Sequence, residues 1–415
     1  MVTAAKTSLL LSPEWPYPLQ GGGPMRTGSM LHYLAQRSAV DLISFHEDGS
    51  CDCVSELPAG LCDSARSIVL PRHSKTFAAK VVRNGRRLLF RTLPLVDRFS
   101  GASSRRQFRE TVGSRHWDVG VIEHLWAVRY VDELRSRCRT VVLDLHNVES
   151  ELHRACSAVE RFPESWAHAR FCTLAQEIER SFFPKFDLIL VPSEDDQHRV
   201  LTLARNANTA VFPNTIPFVE DPSRLTDGPA QPDSIAFSGN LEYHPNVQAL
   251  NYFRKAVWPI LKKEYPALTW RIIGKNADRI RAWARDDHAI HVTGAVENAV
   301  EELAKSKIVV VPLLAGSGTR VKIIEAWAAS CAVVSTPLGA EGLPARDGEN
   351  LTIARSPARW VKAVLELLKN RNAAARLGRN GRATFEQQCS WPAAWMTLDR
   401  HFAEIWPDLP RKGAG

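Results

Sequence analysis

The sequence has 415 residues, of which 45% are hydrophobic and 24% charged, and its formal net charge is +8. The length exceeds what one hydrophobic core usually holds, so two domains are expected, and no apolar run reaches the ~18 residues that would cross a membrane. Eight cysteines without the spacing of a disulfide framework, and no secretory cleavage signal near Met1, favour a cytoplasmic protein with reduced thiols.

The first half of the chain alternates short β-like runs with helical patterns, which predicts a parallel sheet with crossover helices. The predicted strands are Thr7 to Leu11, Val40 to Phe45, Ser67 to Leu70, Asp118 to Ile122, Thr140 to Leu145, Phe186 to Val191 and Ala210 to Phe212. A glycine-rich turn, Gly21 to Pro24, follows the first strand and precedes a helix expected from about Arg26 to Gln36. Such a turn lets the backbone approach a ligand closely, but it lacks the Gly-x-Gly-x-x-Gly pattern of a dinucleotide site.

A basic segment lies between Arg72 and Arg115. It contains twelve Lys or Arg residues and only two acids, Asp97 and Glu110, with apolar residues interleaved. Such a segment favours an anionic partner. No nucleic-acid module accompanies the charge, so no nucleic-acid partner is expected. We predict peripheral contact with an anionic membrane, or with a lipid-phosphate acceptor, through residues 72–115. A solvated and partly mobile face is the alternative.

Proline, glycine and polar residues concentrate between Val219 and Asp233, which is typical of a linker. A second alternating series follows, with strands predicted at Ser234 to Ser238, Leu268 to Ile273 and Ile290 to Val292, and helices at about Asn246 to Lys262 and Asn298 to Lys305. The pattern predicts an α/β protein with two doubly wound domains. The predicted divisions are residues 1–218, a linker at 219–233, residues 234–389 and a C-terminal segment at 390–415.

The most informative segment runs from Ile308 to Thr336. Strands are predicted at Ile308 to Leu313 and Cys331 to Thr336, and a glycine-rich turn between them leads into a helix that is expected to begin at about Thr319. The free N–H groups and positive dipole end of this helix would face the turn. The segment therefore predicts a site for a phosphorylated ligand.

Charged residues in the first turns of that helix strengthen the prediction. Arg320 and Lys322 place two cations where the helix dipole disfavours them, which suggests an anion that outweighs the cost. Glu325 follows one and a half turns later and can lean back toward the ligand, where a carboxylate usually contacts a ribose or a sugar. The alternative is an ordinary loop with Gly316 and Gly318, followed by a solvated glutamate.

The last segment, Ser390 to Trp406, has large apolar residues at near-helical spacing. They are Trp391, Trp395, Leu398, Phe402 and Ile405. This pattern predicts an amphipathic helix that packs back on the first domain and ties the two domains together. Ordinary core packing without such a role is the alternative.

Short segments along nearly the whole chain occur in a recognisable order. They are Gly21–Gly23, Leu143–Glu149, Val191–Ser193, Pro213–Thr215, Phe237–Leu241, His244–Asn246, Ile273–Gly274, Val292–Gly294, Ala315–Glu325, Val333–Thr336 and Gly339–Gly342. The ordered set resembles the GT-B fold glycosyltransferases, most closely glycosyltransferase family 4 (group 1) in its bacterial surface polysaccharide subgroup. The resemblance implies two Rossmann-like domains facing a central cleft, with the acceptor bound by the first and a nucleotide sugar by the second.

The resemblance also implies an activity and a set of residues. The activity is a retaining, metal-independent transfer of a hexose-type sugar from a nucleoside diphosphate donor to a glycan or lipid-linked acceptor, without a cofactor. The implied catalytic residues are His146, Arg320 and Lys322. The implied donor-binding residues are Gly22, Gly23, Gly239, Asn240, Gly274, Lys275, Val296, Ser317, Gly318, Thr319, Arg320, Lys322 and Glu325. The implied acceptor-binding residues are Arg26, Glu123, His124 and Asn147.

Individual roles follow from the same resemblance. Glu325 would bind the ribose hydroxyls, and Arg320 with Lys322 the diphosphate, whose negative charge develops as the sugar bond breaks. The turn after Ile273–Gly274, with residues 294–297, would bind the base. His146 would contact the donor sugar, since it follows a predicted parallel strand at the edge where ligands collect. The alternative for His146 is a core or helix-start histidine.

The sequence departs from the family pattern in two places. Of the usual pair of glutamates seven residues apart, only Glu325 is present, and Ser317 takes the place of the first. That first glutamate normally helps to hold the donor sugar, so the sugar stays open. The usual basic pair early in the second domain is also missing from Gly239 to Asn246, which makes Arg320 and Lys322 the natural substitutes.

Two other functions fit the same pattern. A nucleotide-sugar epimerase of the same fold would need an acid and base pair around the sugar and no acceptor. A non-catalytic sugar-nucleotide-binding protein would fit the loss at Ser317. The leading expectation is a transferase in the cytoplasm, with peripheral contact at the inner face of a bacterial plasma membrane.

Overall fold

The computed structural model describes residues 6–47, 56–72, 91–160, 162–220, 233–315 and 320–407 together with Val82 and Gly85, apart from the side chains of Val159, Arg279 and Ala284. The chain divides into two compact units, Met1–Asn214 with Ala394–Gly415, and Thr215–Ala393. Each unit is built on one parallel sheet. The predicted α/β class with two doubly wound sheets is therefore confirmed.

The first unit contains a seven-stranded sheet. In chain order its strands are β1 (Thr7–Ser12), β2 (Ala39–Glu47), β3 (Ser64–Leu70), β4 (Trp117–Glu123), β5 (Cys138–Asp144), β6 (Leu188–Val191) and β7 (Thr209–Val211). Their order across the sheet is β3-β2-β1-β4-β5-β6-β7, so the direction in which the sheet grows reverses between β1 and β4. Thr7 pairs with Ala39 on one side of β1, and Ser8 pairs with Val119 on the other.

Helices of the first unit connect these strands. They are α1 (Gly22–Ala35), α2 (Pro94–Phe99), α3 (Ala102–Val112), α4 (Val131–Arg135), α5 (Glu149–Val159), α6 (Glu164–Phe182) and α7 (Glu194–Leu203). Helix α7 is capped by the Ser193 hydroxyl, which accepts a hydrogen bond from the Asp196 N–H. Helix α1 begins at Gly22, four residues before the predicted Arg26, so the glycine-rich segment forms its first turn.

Two apolar clusters cover the two faces of the first sheet. Successive side chains of a strand point to opposite faces, so Leu9 and Leu11 join one cluster and Leu10 the other. The C-terminal helix α15 (Trp391–Ile405) completes the second cluster with Leu398 and Phe402. It belongs to the first unit from Ala394 onward.

Polar contacts attach α15 to α1 within this unit. The Arg37 guanidinium pairs with Asp399 at 2.8 Å, and the Tyr33 hydroxyl donates to the same carboxylate. The Trp395 indole N–H donates to the Ser29 hydroxyl at 3.1 Å. The amphipathic pattern at the C-terminus thus produces a helix that is part of the first core.

The second unit contains a six-stranded sheet. Its strands are β8 (Ser234–Ser238), β9 (Thr269–Ile273), β10 (Ile290–Gly294), β11 (Ile308–Val311), β12 (Ala332–Ser335) and β13 (Thr352–Ile353), in the order β10-β9-β8-β11-β12-β13. The helices of this unit are α8 (His244–Ala256), α9 (Trp258–Glu264), α10 (Asp278–Asp286), α11 (Ala299–Ala304), α12 (Val321–Ala328), α13 (Pro357–Lys369) and α14 (Arg371–Thr384). Trp270, Trp327 and Trp360 are fully buried in this unit.

Several predicted boundaries need correction in this unit. The single helix expected from Asn246 to Lys262 is two helices, α8 and α9, which are separated at Val257. Pro259 explains the break, because proline lacks the N–H that would bond to the preceding turn and its ring clashes with the carbonyl of that turn. The helix expected from about Thr319 begins at Val321, and the edge strand β13 was not predicted.

The basic segment is largely paired where the structure describes it. Arg91 binds Glu177 at 2.6 Å, Arg105 binds Glu133 at 2.9 Å and Arg115 binds Asp41 at 3.2 Å. These pairs reduce the positive charge that the sequence suggested for this surface. Residues 73–81, 83–84 and 86–90 lie outside the described part, and membrane contact stays a prediction. Among the described residues, no helix has the length and apolar character that a membrane crossing demands.

Candidate functional site

The second sheet brings its loops together where its strand order reverses. Strand β8 lies between β9, which follows it in the chain, and β11, which starts the other half of the sheet. In an open parallel sheet, the crevice beyond the carboxyl ends of the strands at such a point is the usual ligand site. Gly239 follows β8 at this point, Gly274 follows β9, and α12 comes after β11.

Lys322 places a buried amino group at this reversal point of the second sheet. Its Nζ donates to the Asn246 Oδ1 at 2.5 Å and lies 4.7 Å from the centre of the Phe237 ring. Burial lowers the pKa of Lys322 to about 7, although nearby Glu325 raises it. An ammonium group held away from water in this way gains charge stabilisation from any anion that arrives.

Glu325 lies one turn further along α12. Its Oε2 accepts a hydrogen bond from the Ser238 hydroxyl at 3.4 Å, at the end of β8. Burial raises the pKa of Glu325 to about 7, against the opposing effects of Lys322 and the Ser238 hydrogen bond. The structure therefore brings Lys322 and Glu325 together with the carboxyl end of β8.

Two glycines keep the backbone tight beside this pair. A Cβ on Gly274 would lie 1.8 Å from the Gly239 carbonyl oxygen, so the two loops touch. A Cβ on Gly239 would lie 3.2 Å from Lys322 Nζ and 2.8 Å from Asn246 Nδ2. Because neither position has room for a side chain, only glycine lets the two loops and Lys322 lie this close together.

Arg320 lies near the same pair but points elsewhere. Its Nε donates to the Leu338 carbonyl at 3.0 Å, and its Nη2 lies 3.6 Å from Glu341 Oε2. Its side chain is only 5% exposed, and burial lowers its pKa. Its positive charge lowers the pKa of Lys322, so the two cations share one electrostatic site.

The other predicted donor residues are distributed more widely. Asn240 and Lys275 are exposed in the loops after β8 and β9, and Val296 is half-buried after β10. Ser317, Gly318 and Thr319 lie outside the described residues. Gly22 and Gly23 belong to the first unit, where a Cβ on Gly23 would lie 2.7 Å from the Glu14 carboxylate.

The first unit has a buried polar cluster at its own reversal point, between β1 and β4. At its centre, the Arg26 guanidinium on α1 binds both oxygens of Asp144 at the end of β5. Its Nη1 donates to the Phe212 carbonyl at 2.6 Å and to Asn214 Oδ1 at 2.8 Å. Both charged side chains are fully buried. Arg26 therefore holds chain segments together, and its contact with an acceptor stays a prediction.

Glu123 ends β4 inside this cluster. Its Oε2 accepts hydrogen bonds from the Thr27 hydroxyl and, at 3.3 Å, from the Ser12 hydroxyl. Burial raises the pKa of Glu123 to about 7, against the lowering effects of Thr27, Arg26 and Ser12. Its Oε1 has no hydrogen-bond partner among the described residues. A buried carboxyl with a free oxygen and a pKa near neutrality can bind a ligand or move a proton.

His146 and His124 lie in contact beside Glu123. Their ring centres are 3.6 Å apart with the planes tilted by 35°, and His124 stacks on Trp126 at 4.1 Å, so the three rings form a histidine stack. His146 Nε2 lies 3.5 Å from Glu123 Oε2, and burial lowers the pKa of both histidines well below the usual value. His124 has a φ of 60°, an uncommon backbone conformation that is frequent at functional sites.

Asn147 lies beside these rings and contacts the start of α5. Its Nδ2 donates to Glu149 Oε2 at 3.1 Å, and the Trp126 indole donates to the same oxygen at 3.3 Å. The structure thus brings Arg26, Glu123, His124 and His146 into one cluster, with Asn147 beside it. Their roles toward donor or acceptor stay predictions.

Glu123, Asp144 and His146 have ligand atoms close enough to surround a metal ion. The Arg26 guanidinium occupies both oxygens of Asp144 and places a full positive charge beside the group. The positive charge of Arg26 therefore disfavours a metal cation between Glu123, Asp144 and His146.

Sequence reasoning missed several residues that build these sites. Ser238 and Asn246 hold Glu325 and Lys322, and Asp144 fixes Arg26. Asp144 and Ser238 had a local signal, since each lies at or next to the end of a predicted strand. Glu14 and Trp126 could be found only from the fold.

Two doubly wound units are the fold of the GT-B glycosyltransferases, and the predicted resemblance to that class is confirmed. Residues 232–370 match the family model for Glycosyl transferases group 1, so the second unit carries a domain of that family. A protein described as an uncharacterized 44.6 kDa protein in the cps region of Klebsiella pneumoniae is 22% identical over 374 residues, which cover 87% of this chain and 91% of that protein.

Solved structures share the fold over nearly the whole chain. Sucrose-phosphate synthase from Thermosynechococcus elongatus has a TM-score of 0.69 at 14% identity and covers 97% of this chain and 99% of its own. Anabaena HepE in complex with UDP-glucose has a TM-score of 0.62 at 14% identity, with 96% and 99% covered. A mutant of S. aureus TarM in complex with fondaparinux, α-GlcNAc-glycerol and UDP has a TM-score of 0.63 at 12% identity, with 96% and 99% covered. The family match and these folds support a glycosyltransferase.

Proposed function

We propose that the protein is a retaining glycosyltransferase that moves a sugar from a nucleoside diphosphate donor to a glycan or lipid-linked acceptor in surface polysaccharide synthesis. One observation carries the proposal: buried Lys322 and Glu325 lie together at the carboxyl end of β8, where the second sheet reverses its strand order. Ligands of open parallel sheets bind at such points.

The chemistry of this pair suits a nucleotide sugar. The ammonium of Lys322 would bind the diphosphate, which gains negative charge as its bond to the sugar breaks. Glu325 would accept hydrogen bonds from ribose hydroxyls. Gly239 and Gly274 let the loops after β8 and β9 pack directly against each other beside Lys322. Because Lys322 and Arg320 already supply positive charge, we propose that the reaction needs no metal ion.

The first unit supplies groups for the sugar and the acceptor in this proposal. Glu123 Oε1, His124 Nε2 and His146 Nε2 are buried without hydrogen-bond partners among the described residues. Buried polar atoms are normally satisfied, so hydroxyl groups of a bound sugar are suitable partners. We assign His146 to the donor sugar, with Glu123 and His124 on the acceptor side.

Proteins with the same fold support this choice of substrates. HepE is described in complexes with UDP and with UDP-glucose, and TarM with UDP and glycan ligands. The relative from a cps region supports a role in surface polysaccharide synthesis. We propose a cytoplasmic enzyme that contacts an anionic membrane peripherally through residues 72–115, where the described arginines are largely paired with acids.

A turnover assay tests the proposal. The full chain is incubated with a panel of nucleotide sugars, with and without glycan and lipid-linked acceptors, and release of the nucleoside diphosphate is measured together with the product. Acceptor-dependent release that persists in EDTA and retains the anomeric configuration is expected. Interconversion of the sugar without an acceptor would indicate an epimerase. Donor binding without either reaction across the panel would indicate a non-catalytic protein.

Glu325→Gln provides a matched variant for this assay. It keeps the size of the side chain and removes its charge, so donor binding should weaken while the fold is kept. Unchanged donor affinity by calorimetry would remove Glu325 from the site. An anionic vesicle assay over a range of salt concentrations tests the membrane contact separately.

A further inference from the structure

A second group of chemically reactive side chains lies on the helical hairpin formed by α5 and α6. Cys156 is on the last turn of α5, Glu160 follows the end of that helix, and His168 is on the second turn of α6. Their ligand atoms all lie within 4.8 Å of one another. Neither the proposed donor site nor the Arg26 cluster uses these residues.

We propose that Cys156, Glu160 and His168 bind a divalent metal ion of the zinc class. Glu160 Oε2 and His168 Nε2 are 3.2 Å apart. A tetrahedral zinc ion with bonds of about 2.0–2.1 Å separates two such ligand atoms by roughly 3.3 Å. The distance between Glu160 Oε2 and His168 Nε2 therefore already matches that between two zinc ligands, and Cys156 Sγ lies close enough to bind the same ion.

His153 supplies the orienting contact that metal-bound histidines usually have. Its Nδ1 lies 2.8 Å from His168 Nδ1, so one ring donates a proton and the other accepts it. With a metal ion on His168 Nε2, the Nδ1 of that ring keeps its proton and donates to His153. Such a hydrogen bond fixes the tautomer and the plane of the ligand ring. His153 Nε2 in turn faces Glu149 Oε1 at 3.9 Å.

The donor set selects the class of metal. A thiolate and an imidazole favour zinc and similar transition metals, whereas calcium and magnesium prefer oxygen ligands throughout. The side chains of Glu160 and His168 are 39% and 27% exposed, so an ion can enter from solvent. Three protein ligands leave one position for water, as in open zinc sites.

The site would tie together the two helices of the hairpin. Glu149, at the start of α5, accepts hydrogen bonds from Trp126 and Asn147 beside the histidine stack. A bound ion would instead act at the other end of α5, where it would hold the last turn of that helix against the second turn of α6. Cys156 must lose its proton to ligate, so binding is expected to weaken as the pH falls.

Cobalt(II) titration of the full-length, tag-free protein tests the site. After EDTA treatment and buffer exchange, one equivalent of Co²⁺ should produce a thiolate-to-cobalt charge-transfer band and intense visible bands of tetrahedral coordination, and Zn²⁺ should bleach both. Cys156→Ser should abolish the charge-transfer band. Cys172→Ser, on α6 but outside the ligand group, is the matched control and should keep it.

Further variants separate ligation from structural effects. His153→Phe should weaken metal affinity about 10–100-fold while keeping the bands, as is typical for an orienting partner. Glu160→Gln changes a side chain that is 39% exposed and tests ligation without altering the core. Far-UV circular dichroism checks the fold of each variant. Absence of a saturable band, or a band unchanged in both Cys156→Ser and Glu160→Gln, would overturn the proposal. These readouts do not depend on glycosyl transfer.

Discussion

Proton uptake on donor binding is the sharpest consequence of the buried Lys322. The free protein holds the pKa of this side chain at about 7 because burial disfavours the ammonium form. A diphosphate beside it favours that form and raises the pKa again. The charged form is present below pH 7 and is lost as the pH rises through 7, so donor binding above pH 7 must take up a proton. The substitution Lys322→Met removes the group that takes up this proton.

The size of the effect follows from the titration curve. At pH 8 roughly 10% of Lys322 is protonated in the free protein, so binding takes up roughly 0.9 proton, against roughly 0.1 at pH 6. The affinity for the diphosphate should fall about fifty-fold between pH 7 and pH 9 for the same reason. Glu325 contributes little at pH 8, because its pKa of about 7 leaves it mostly ionised there.

Calorimetry in buffers of different ionisation enthalpy measures this uptake directly. Titrations at pH 8 use whichever of UDP, GDP and ADP binds, since their terminal phosphates are already ionised at that pH. Lys322→Met should abolish the uptake and flatten the pH dependence of affinity. Lys255→Met, which changes an exposed lysine on α8, is the control. Equal uptake by Lys322→Met and the unmodified protein would assign the proton to another group and refute the reasoning.

Three predictions concern stability. The free energy of unfolding, measured in urea, should fall by about 3 kcal/mol between pH 4.5 and pH 7, because the folded state keeps the Glu123 proton up to a pKa of about 7 and the unfolded state releases it earlier. Glu123→Gln should remove most of this fall. Gly274→Ala should lower Tm far more than Gly348→Ala. Both glycines have a positive φ, but only at Gly274 would the added Cβ lie 1.8 Å from a backbone oxygen. Equal shifts in Tm would contradict this prediction. Arg26→Met should lower the free energy of unfolding by about 3–5 kcal/mol at pH 8. The loss should be smaller at pH 5, where Asp144 is neutral because burial raises its pKa to about 7. An equal loss at both pH values would argue against a buried ion pair.

The sequence predicted most strands because burial on both sheet faces makes them continuous apolar runs. Ser234 to Ser238 was predicted with the bounds that the structure has. The edge strand β13 has two residues, too few to produce a periodic signal. The break at Val257 had a signal in Pro259, but the surrounding helical pattern outweighed it. Local pattern therefore predicts long elements well and short or interrupted ones poorly.

The candidate site was predictable only in part. Lys322 and Glu325 share one helix, so their proximity follows from spacing alone. Their partners Ser238 and Asn246 lie 87 and 76 residues away in the chain, and only the tertiary fold brings them together. The same holds for Arg26, whose partner Asp144 is 118 residues away. Sequence therefore suggested which groups carry charge, and the fold determined which groups hold them.

The placement of α15 in the first unit has a consequence for biosynthesis. Residues 215–393 form the second unit, whereas the first unit needs Leu398 and Phe402 to cover the face of its sheet that carries Leu10. A ribosome therefore releases every residue of the second unit before it supplies the helix that completes the first. Until then, the nascent chain displays an uncovered apolar surface. The first unit, although begun first, therefore cannot complete its core until the last helix is made, and chaperones that bind exposed apolar surface would act on it.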